Sequence, residues 1–289
     1  MNLMNDGYIN LSEVKDLPHS ELFRVVGEVI REENLDYVNA HSKKVCPKSS
    51  FYSKYGKRVF DFFCALIALI IVFPINLILL ICTFFDVGVP LVFKQKRVGK
   101  NGELFYIIKF RNMTNETNEH GELLPPYQRV TEFGKFVRRT SLDELLNFWS
   151  ILRGDMSLIG PRPLLVDYYG LYSDRHRMRH AVRPGLECPV ISPDHDRSTW
   201  SDWFENDIYY VENVSFFLDL KMLFALLKLM FSKKEVNDRG KAIRGSFMGY
   251  EKDGSSITST KVPLKYYEKA FKLIKEKNEI NRNNENGGL

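Results

Sequence analysis

One stretch of this chain stands out by pattern alone. From Phe62 to Phe85 the sequence reads FFCALIALIIVFPINLILLICTFF, with no charge and only Asn76 and Thr83 clearly polar. An apolar run of roughly 20 residues or more matches a hydrocarbon core of about 30 Å. It is too far from the N-terminus, and too long, for a cleavable signal peptide. Pro74 stands in its middle, where a missing N–H and a ring clash break or kink a helix. Both flanks are basic, with Lys54, Lys57 and Arg58 before the run and Lys94, Lys96, Arg97 and Lys100 after it. Lys and Arg mark the cytoplasmic side, so these flanks favour a segment that dips in, turns at Pro74 and returns. A kinked spanning helix is the alternative. Asp61, just before the run, needs a cation at this depth, and Lys57 and Arg58 are within reach.

The remaining patterns are those of a folded protein. Ser20 to Asn34 reads as an amphipathic helix, with Ser20 as N-cap and Leu22, Val25, Val26, Val29 and Ile30 on one face. A basic linker, HSKKVCPKSS, follows, suited to anionic headgroups. Two apolar runs flank Lys100-Asn101-Gly102, a hairpin signal. Residues 114–129 read as a polar surface loop. Helical stripes then follow: Phe133, Phe136 and Val137; Leu142, Leu145, Leu146, Trp149 and Leu152, closed by Gly154; and a helix through Leu164 to Tyr172. Phe216 to Phe231 contains Asp219, Lys221 and Lys228, which fits a core or interfacial helix better than a second span. The tail places Leu264, Tyr267, Phe271 and Ile274 at helical spacing among lysines, as in a surface-lying amphipathic helix or a solvated one. Its last residues, NRNNENGGL, read as disordered.

The predicted class is α+β and mainly helical. It divides into a leader (1–50) suited to docking or dimerisation, a re-entrant helix-break-helix (54–90), a cytoplasmic catalytic domain with a small β-hairpin (91–250) and a tail (251–289). Composition narrows the function. The 289 residues are 44% hydrophobic and 27% charged, which excludes a wholly disordered, collagen-like or coiled-coil chain. A net charge of +5, clustered around the apolar segment, argues for a lipid surface and against nucleic acid. Four scattered cysteines form no CxxC pair, so neither a disulfide framework nor a cysteine zinc site is expected.

Candidate chemistry begins at Arg138-Arg139-Thr140-Ser141-Leu142-Asp143-Glu144. Read locally, Ser141-x-x-Glu144 is a capping box. A helix start behind two arginines also suits a phosphate, and a carboxylate there can attack phosphorus or hold Mg²⁺. Asp143 and Glu144 are adjacent, about 100° apart on a helix, so one would react while the other orients, binds metal or moves a proton. Arg162, bracketed by Pro161 and Pro163 in a rigid loop, reads as a phosphate clamp or as a solvated connection. Lys109 and Arg111 alternate at a strand end and should face one side. Arg175, Arg177, Arg179 and Arg183, with His176 and His180, form a basic patch suited to headgroups or phosphate. The two histidines, at i and i+4, offer a weaker case for a shared metal.

Together these residues resemble the monotopic polyprenyl-phosphate phosphoglycosyl transferases, bacterial sugar transferases of the short bacillosamine type. The resemblance runs from about residue 54 to 250. It rests on Lys57-Arg58-x-x-Asp61, the apolar segment with Pro74, Lys109-Phe110-Arg111-x-Met113, SLDELLNFWSILRGDMSLIGPRPL, RHAVRPG, Asp207-x-Tyr209-x-Val211 and LDLK. It implies a re-entrant membrane helix and Mg²⁺-dependent transfer of a sugar phosphate from a UDP-sugar to undecaprenyl phosphate, at the cytoplasmic face of the inner membrane. It also implies Asp143 as nucleophile, Glu144 as its metal-positioning neighbour, and Lys109, Arg111, Arg138, Arg162 and Asp207 as substrate contacts. A homodimer is compatible with it. One segment departs from the family. After Arg183-Pro184-Gly185, where Ile-Thr-Gly-Trp-Ala-Gln-Val-Asn-Gly-Arg-Asn is usual, the chain reads Leu186-Glu187-Cys188-Pro189-Val190-Ile191-Ser192-Pro193-Asp194-His195-Asp196. That change leaves open a different donor or a non-catalytic scaffold.

Overall fold

The computed structural model describes residues 4–5, 7–14, 18–119, 121, 123–190, 199–231 and 245–286. The order is β1 (Met4–Asn5), β2 (Tyr8–Ile9), α1 (His19–His41), α2 (Lys57–Val87), β3 (Val92–Val98), β4 (Leu104–Phe110), α3 (Pro126–Arg129), α4 (Glu132–Arg139) and α5 (Asn147–Arg153). It continues with β5 (Ser157–Ile159), α6 (Asp174–Arg177), β6 (Gly185–Glu187), α7 (Trp200–Asn213), α8 (Phe216–Phe231), β7 (Phe247–Tyr250), β8 (Ser256–Thr258), β9 (Val262–Pro263) and α9 (Leu264–Asn286). The chain is mainly helical, with four small sheets among the described residues.

The leader and the tail, expected to act separately, build one core. The apolar stripe of α1 (Leu22, Val26, Val29, Ile30) packs against Met248, Ile257, Val262 and the α9 residues Tyr266, Ala270 and Ile274. β2 pairs with β9, and buried Asn34 donates to the Tyr250 carbonyl (2.8 Å) and the Tyr266 hydroxyl (2.7 Å). The tail, read as a surface-lying amphipathic or a solvated helix, is therefore a packed one. Tyr266, Ala270 and Ile274 are buried and Leu264 and Tyr267 pack beside them, so three of the four residues of the stripe read in the sequence face this core. α1 itself starts after Pro18, not at a Ser20 cap, and continues to His41.

The apolar segment forms one helix, α2, of 31 residues that runs through Pro74. The predicted break into two helices is absent. A proline forfeits one backbone bond and can kink a helix, and the strongly apolar turns on either side continue it. Among the described residues α2 is the one helix long and apolar enough to cross a membrane. Its two ends dock on the same body. At the start, Ala65 packs with Ile151 and Leu158, and Arg58 donates to the Ile151 and Leu152 carbonyls at 2.7 and 2.6 Å, capping α5. At the end, Leu79 packs with Phe110 and Val137, and the Thr131 hydroxyl donates to Asp86 (2.6 Å). Between them Ile67, Ile70, Ile71, Phe73 and Ile78 are exposed.

Buried charges fix the base of α2. Lys57 Nζ lies 2.8 Å from Asp219 of α8, which also accepts from the Tyr52 (2.5 Å) and Tyr210 (2.6 Å) hydroxyls. Asp61 accepts from the Ser157 hydroxyl (2.9 Å) and the Leu158 N–H (3.1 Å), with Lys57, one of the two partners expected from sequence, 4.0 Å away. α8, read from sequence as a core or interfacial helix, buries Met222 and exposes Phe217 and Phe224.

The hairpin forms as expected. β3 and β4 pair antiparallel from Val92↔Phe110 to Val98↔Leu104, with Asn101 (φ 55°) and Gly102 (φ 84°) making the turn. Residues 164–172, predicted as an α-helix, instead make a 3-10 run at Val166–Leu171. β5 and β6 form a short parallel pair that brings Gly160 against Gly185. A Cβ on Gly185 would lie 2.2 Å from the Gly160 nitrogen. Only glycine permits this approach, which sets the Pro161-Arg162-Pro163 loop beside Leu186.

Candidate active site

The site is centred on the turn before α5. Ser141 adopts a left-handed conformation (φ 58°) and makes no side-chain cap, and Leu142–Glu144 form a single 3-10 turn. The capping box read from Ser141 and Glu144 is therefore not formed. The Glu144 carboxylate instead meets two cations: its Oε1 accepts from Lys109 Nζ at 2.7 Å and from Arg162 Nη2. Lys109 arrives from β4, and Arg162 from the proline-bracketed loop, where its Nη1 also donates to the Leu186 carbonyl (3.0 Å).

Asp143 and Glu144 are pushed in opposite directions. Asp143 is 6% exposed. Burial, reinforced by the Glu144 charge, raises its carboxyl above the ordinary range, while Lys109 and Arg138 pull it back. Burial would raise Glu144 too, but Arg162 and Lys109 outweigh it and hold that carboxyl down at about 2. Adjacent carboxylates driven apart in this way take different roles: Glu144 is a fixed anion, and Asp143 is the more basic group. A pH effect follows. Glu144 is depressed from 4.5 to about 2, so its contribution of about 3 kcal/mol is present above pH 4.5 and disappears as the pH falls through 2. Denaturant melts should show wild type losing that increment relative to Glu144→Gln between pH 5 and 2. A constant gap would mean that the two cations do not hold Glu144.

The other residues singled out from sequence lie at different depths. Arg138 Nε donates to the Asn112 side chain (2.9 Å) near Asp143. Arg111 faces away from Lys109's partner. Its guanidinium caps the end of α2, donating to the carbonyls of Val87, Gly88 (2.8 Å) and Val89 (3.1 Å). Asp207 is fully buried in a pair with Arg179, with Oδ2 2.6 Å from Nη2, and Arg179 Nη2 in turn donates to the Arg162 carbonyl (2.9 Å). Asp207 thus reaches the site through Arg179, beneath Arg162. Pro74 lies within the exposed middle of α2.

Most of the expected basic patch turns to internal partners, with Arg177 left in an exposed pair with Asp174. Arg175 and His176 Nε2 both bind Glu205, His176 Nδ1 meets the Tyr250 hydroxyl (2.7 Å), and Arg183 donates to the Gly154 carbonyl. His180 Nδ1 faces the Gly99 carbonyl (3.1 Å), and burial beside Arg179 pushes its pKa down to about 3, so it is neutral. The two histidines therefore do not share a metal. The i, i+4 spacing placed them on one face, but α6 ends at Arg177, between them.

In the divergent segment, Glu187 Oε2 lies 3.9 Å from Arg162 Nη1, and buried Cys188 accepts through its carbonyl from Asn206 (3.0 Å). Asp194, His195 and Asp196 lie outside the described residues. Sequence reasoning missed Asn112 and Asn147, whose side chain accepts the Ile108 N–H (3.0 Å) and ties β4 to α5. An asparagine is too common a residue to signal such a role without the fold.

A clustered Asp-Glu pair and opposed cations, on the same body as a long apolar helix, make this a candidate group-transfer site. The family model for bacterial sugar transferases matches residues 52–233. The chain belongs to the bacterial sugar transferase family and is a transferase. It is 42% identical over 167 residues to the sugar transferase EpsL of Bacillus subtilis, covering 58% of this chain and 83% of EpsL. It is 34% identical to the galactosyl transferase CpsE of Streptococcus agalactiae, covering 61% of this chain and 42% of CpsE. It is also 34% identical to the UDP-N-acetylgalactosamine-undecaprenyl-phosphate N-acetylgalactosaminephosphotransferase of Aeromonas hydrophila, covering 61% of this chain and 44% of that protein. The chain spans less than half the length of these last two relatives.

Proposed function

We propose that this protein transfers a sugar phosphate from a UDP-sugar to undecaprenyl phosphate through a covalent intermediate on Asp143. The observation that carries the reading is the contrast between buried Asp143 and cation-locked Glu144. An Asp143 oxygen attacks the sugar-proximal phosphorus. The bond from that phosphorus to the bridging oxygen breaks, and the electron pair leaves with UMP. A lipid phosphate oxygen then attacks the same phosphorus, freeing the Asp143 carboxylate and giving a polyprenyl diphosphosugar. Two steps of moderate barrier replace a difficult one. Lys109 and Arg162 offset charge on the transferring phosphate.

Mg²⁺ would supply further neutralisation of the diphosphate when bound. Among the described residues no three His, Cys, Asp or Glu side chains form a metal cage. Asp143 and Glu144 would hold Mg²⁺ with the substrate's own phosphates, the usual arrangement for this hard, incompletely dehydrated ion.

The membrane reading extends the same proposal. A helix held at both ends by one body cannot place those ends on opposite sides of a hydrocarbon core about 30 Å thick. We therefore read α2 as one helix, kinked at Pro74, whose exposed middle dips into the cytoplasmic leaflet of the cell membrane while both ends stay on the cytoplasmic side. Cysteines placed at Lys54 and Lys94, in a chain lacking the four native ones, should both react with an impermeant reagent from the cytoplasmic side. Labelling from opposite sides would establish a span.

The reaction is tested with detergent-purified protein, Mg²⁺ and a panel of UDP-sugars. UMP release that depends on undecaprenyl phosphate is expected with one or a few donors. Folded protein that releases UMP from none would point to another donor class or to a binding role, with residues 186–196 as the first suspect.

A further inference from the structure

We infer that Arg97 is a phosphate-binding residue of this site, partnering Arg162 in gripping an oxyanion. The inference rests on the transfer reading above and adds a residue to it. The hairpin register provides the first observation. Phe93 pairs with Lys109, Gln95 with Ile107 and Arg97 with Phe105. Side chains alternate along a strand, so Arg97, Gln95 and Lys109 share one face, and Lys109 on that face binds Glu144. A backbone bridge from Arg97 to Leu165 provides the second observation, placing Arg97 beside the loop that carries Arg162.

The third observation is how Arg97 is satisfied. Its Nη2 donates to the neutral Gln95 side chain (2.6 Å), and its buried Nε has no hydrogen-bond partner. Among the described residues no carboxylate lies within ion-pair distance of it. Burial and the Arg162 charge both depress its pKa, while Glu144 and nearby tyrosines counter them. Two guanidiniums crowded together, one of them lacking an anion, are costly unless an anion binds between them. The planar fork of arginine suits a phosphate oxygen pair better than any neutral group. Two substrates bring such a group, the donor's diphosphate and the lipid phosphate.

The test uses full-length detergent-purified protein, wild type against Arg97→Ala and Arg97→Lys. Three quantities are read: the KM for the UDP-sugar, the KM for undecaprenyl phosphate, and the affinity for UMP and inorganic diphosphate by titration calorimetry. Losing a charge-assisted phosphate contact should raise one KM by roughly tenfold to a hundredfold with a smaller change in kcat. Arg97→Lys should recover part of the loss, and the melting temperatures should stay close to wild type. A raised donor KM with weakened diphosphate affinity assigns the contact to the donor. A raised lipid KM alone assigns it to the carrier. Unchanged KM values and affinities in folded Arg97→Ala would overturn the inference, as would a loss confined to kcat and matched by a fall in melting temperature. The calorimetry keeps it distinct from the reaction: diphosphate bound by wild type and lost in Arg97→Ala supports the clamp even if no UMP is released.

Discussion

Asp143→Asn is expected to abolish sugar-phosphate transfer, by at least about a thousandfold, while leaving the protein as stable as wild type or slightly more so. The substitution keeps the shape of the side chain and removes the carboxylate that attacks phosphorus in the proposed mechanism, and an amide cannot form the phosphoryl intermediate. Removing a nucleophile that acts with its neighbours costs nearly the whole of catalysis. The stability half of the expectation comes from burial. Asp143 is 6% exposed, and burial raises its pKa, so the folded state disfavours its charge. Neutralising it relieves that cost, as expected where activity and stability conflict. Radiolabelled transfer together with thermal melts checks both halves. Residual transfer within tenfold of wild type would move the nucleophile elsewhere, with Glu144 the less suitable candidate because Lys109 and Arg162 hold its charge.

Breaking the Arg179–Asp207 pair should have the largest effect on stability. Both side chains are essentially inaccessible, at 1% and 0%, and their charged atoms lie 2.6 Å apart. Truncating one partner strands the other charge in the interior, a loss of about 3–5 kcal/mol. For a chain of this size that corresponds to a fall in melting temperature on the order of 10 °C. Arg179→Met should show it. The double variant Arg179→Met/Asp207→Leu should recover most of it, because no unpaired charge remains. Transfer should not recover in parallel. Arg179 also holds the Arg162 carbonyl at 2.9 Å, so the double variant removes a support of the clamp while restoring the core. Full recovery of both stability and transfer would reduce Arg179 and Asp207 to packing.

The sequence was most legible where one local signal decides the structure. Asn101-Gly102 between apolar strands gave the hairpin and its turn. The uncharged run from Phe62 gave the long exposed helix. Read locally, Asp143, Glu144, Lys109 and Arg162 were separate signals, each with a structural alternative; the resemblance to the transferase family grouped them, and the structure brings the four together. The failures come from long-range contacts. Ser141 and Glu144 have the spacing of a capping box, but the ion pairs to Lys109 and Arg162 accompany a different backbone at Ser141. Four arginines close in sequence suggested a surface, whereas Glu205 and Asp207, about thirty residues downstream, draw Arg175 and Arg179 inward. The tail's lysines suggested lipid or solvent because nothing local indicated that α1, more than two hundred residues earlier, would cover its apolar stripe.

The joining of α1 to α9 also constrains how the protein is made. Leu22 and Tyr266 share one core, so α1 leaves the ribosome long before its partner exists. At about 5–20 residues per second, synthesis of the intervening chain takes on the order of 10–50 seconds. During that interval α2 is already available to the bilayer, while the apolar stripe of α1 is bare. The apolar stripe of α1 is thus among the last of the described surfaces to be buried, bare until α9 has been made.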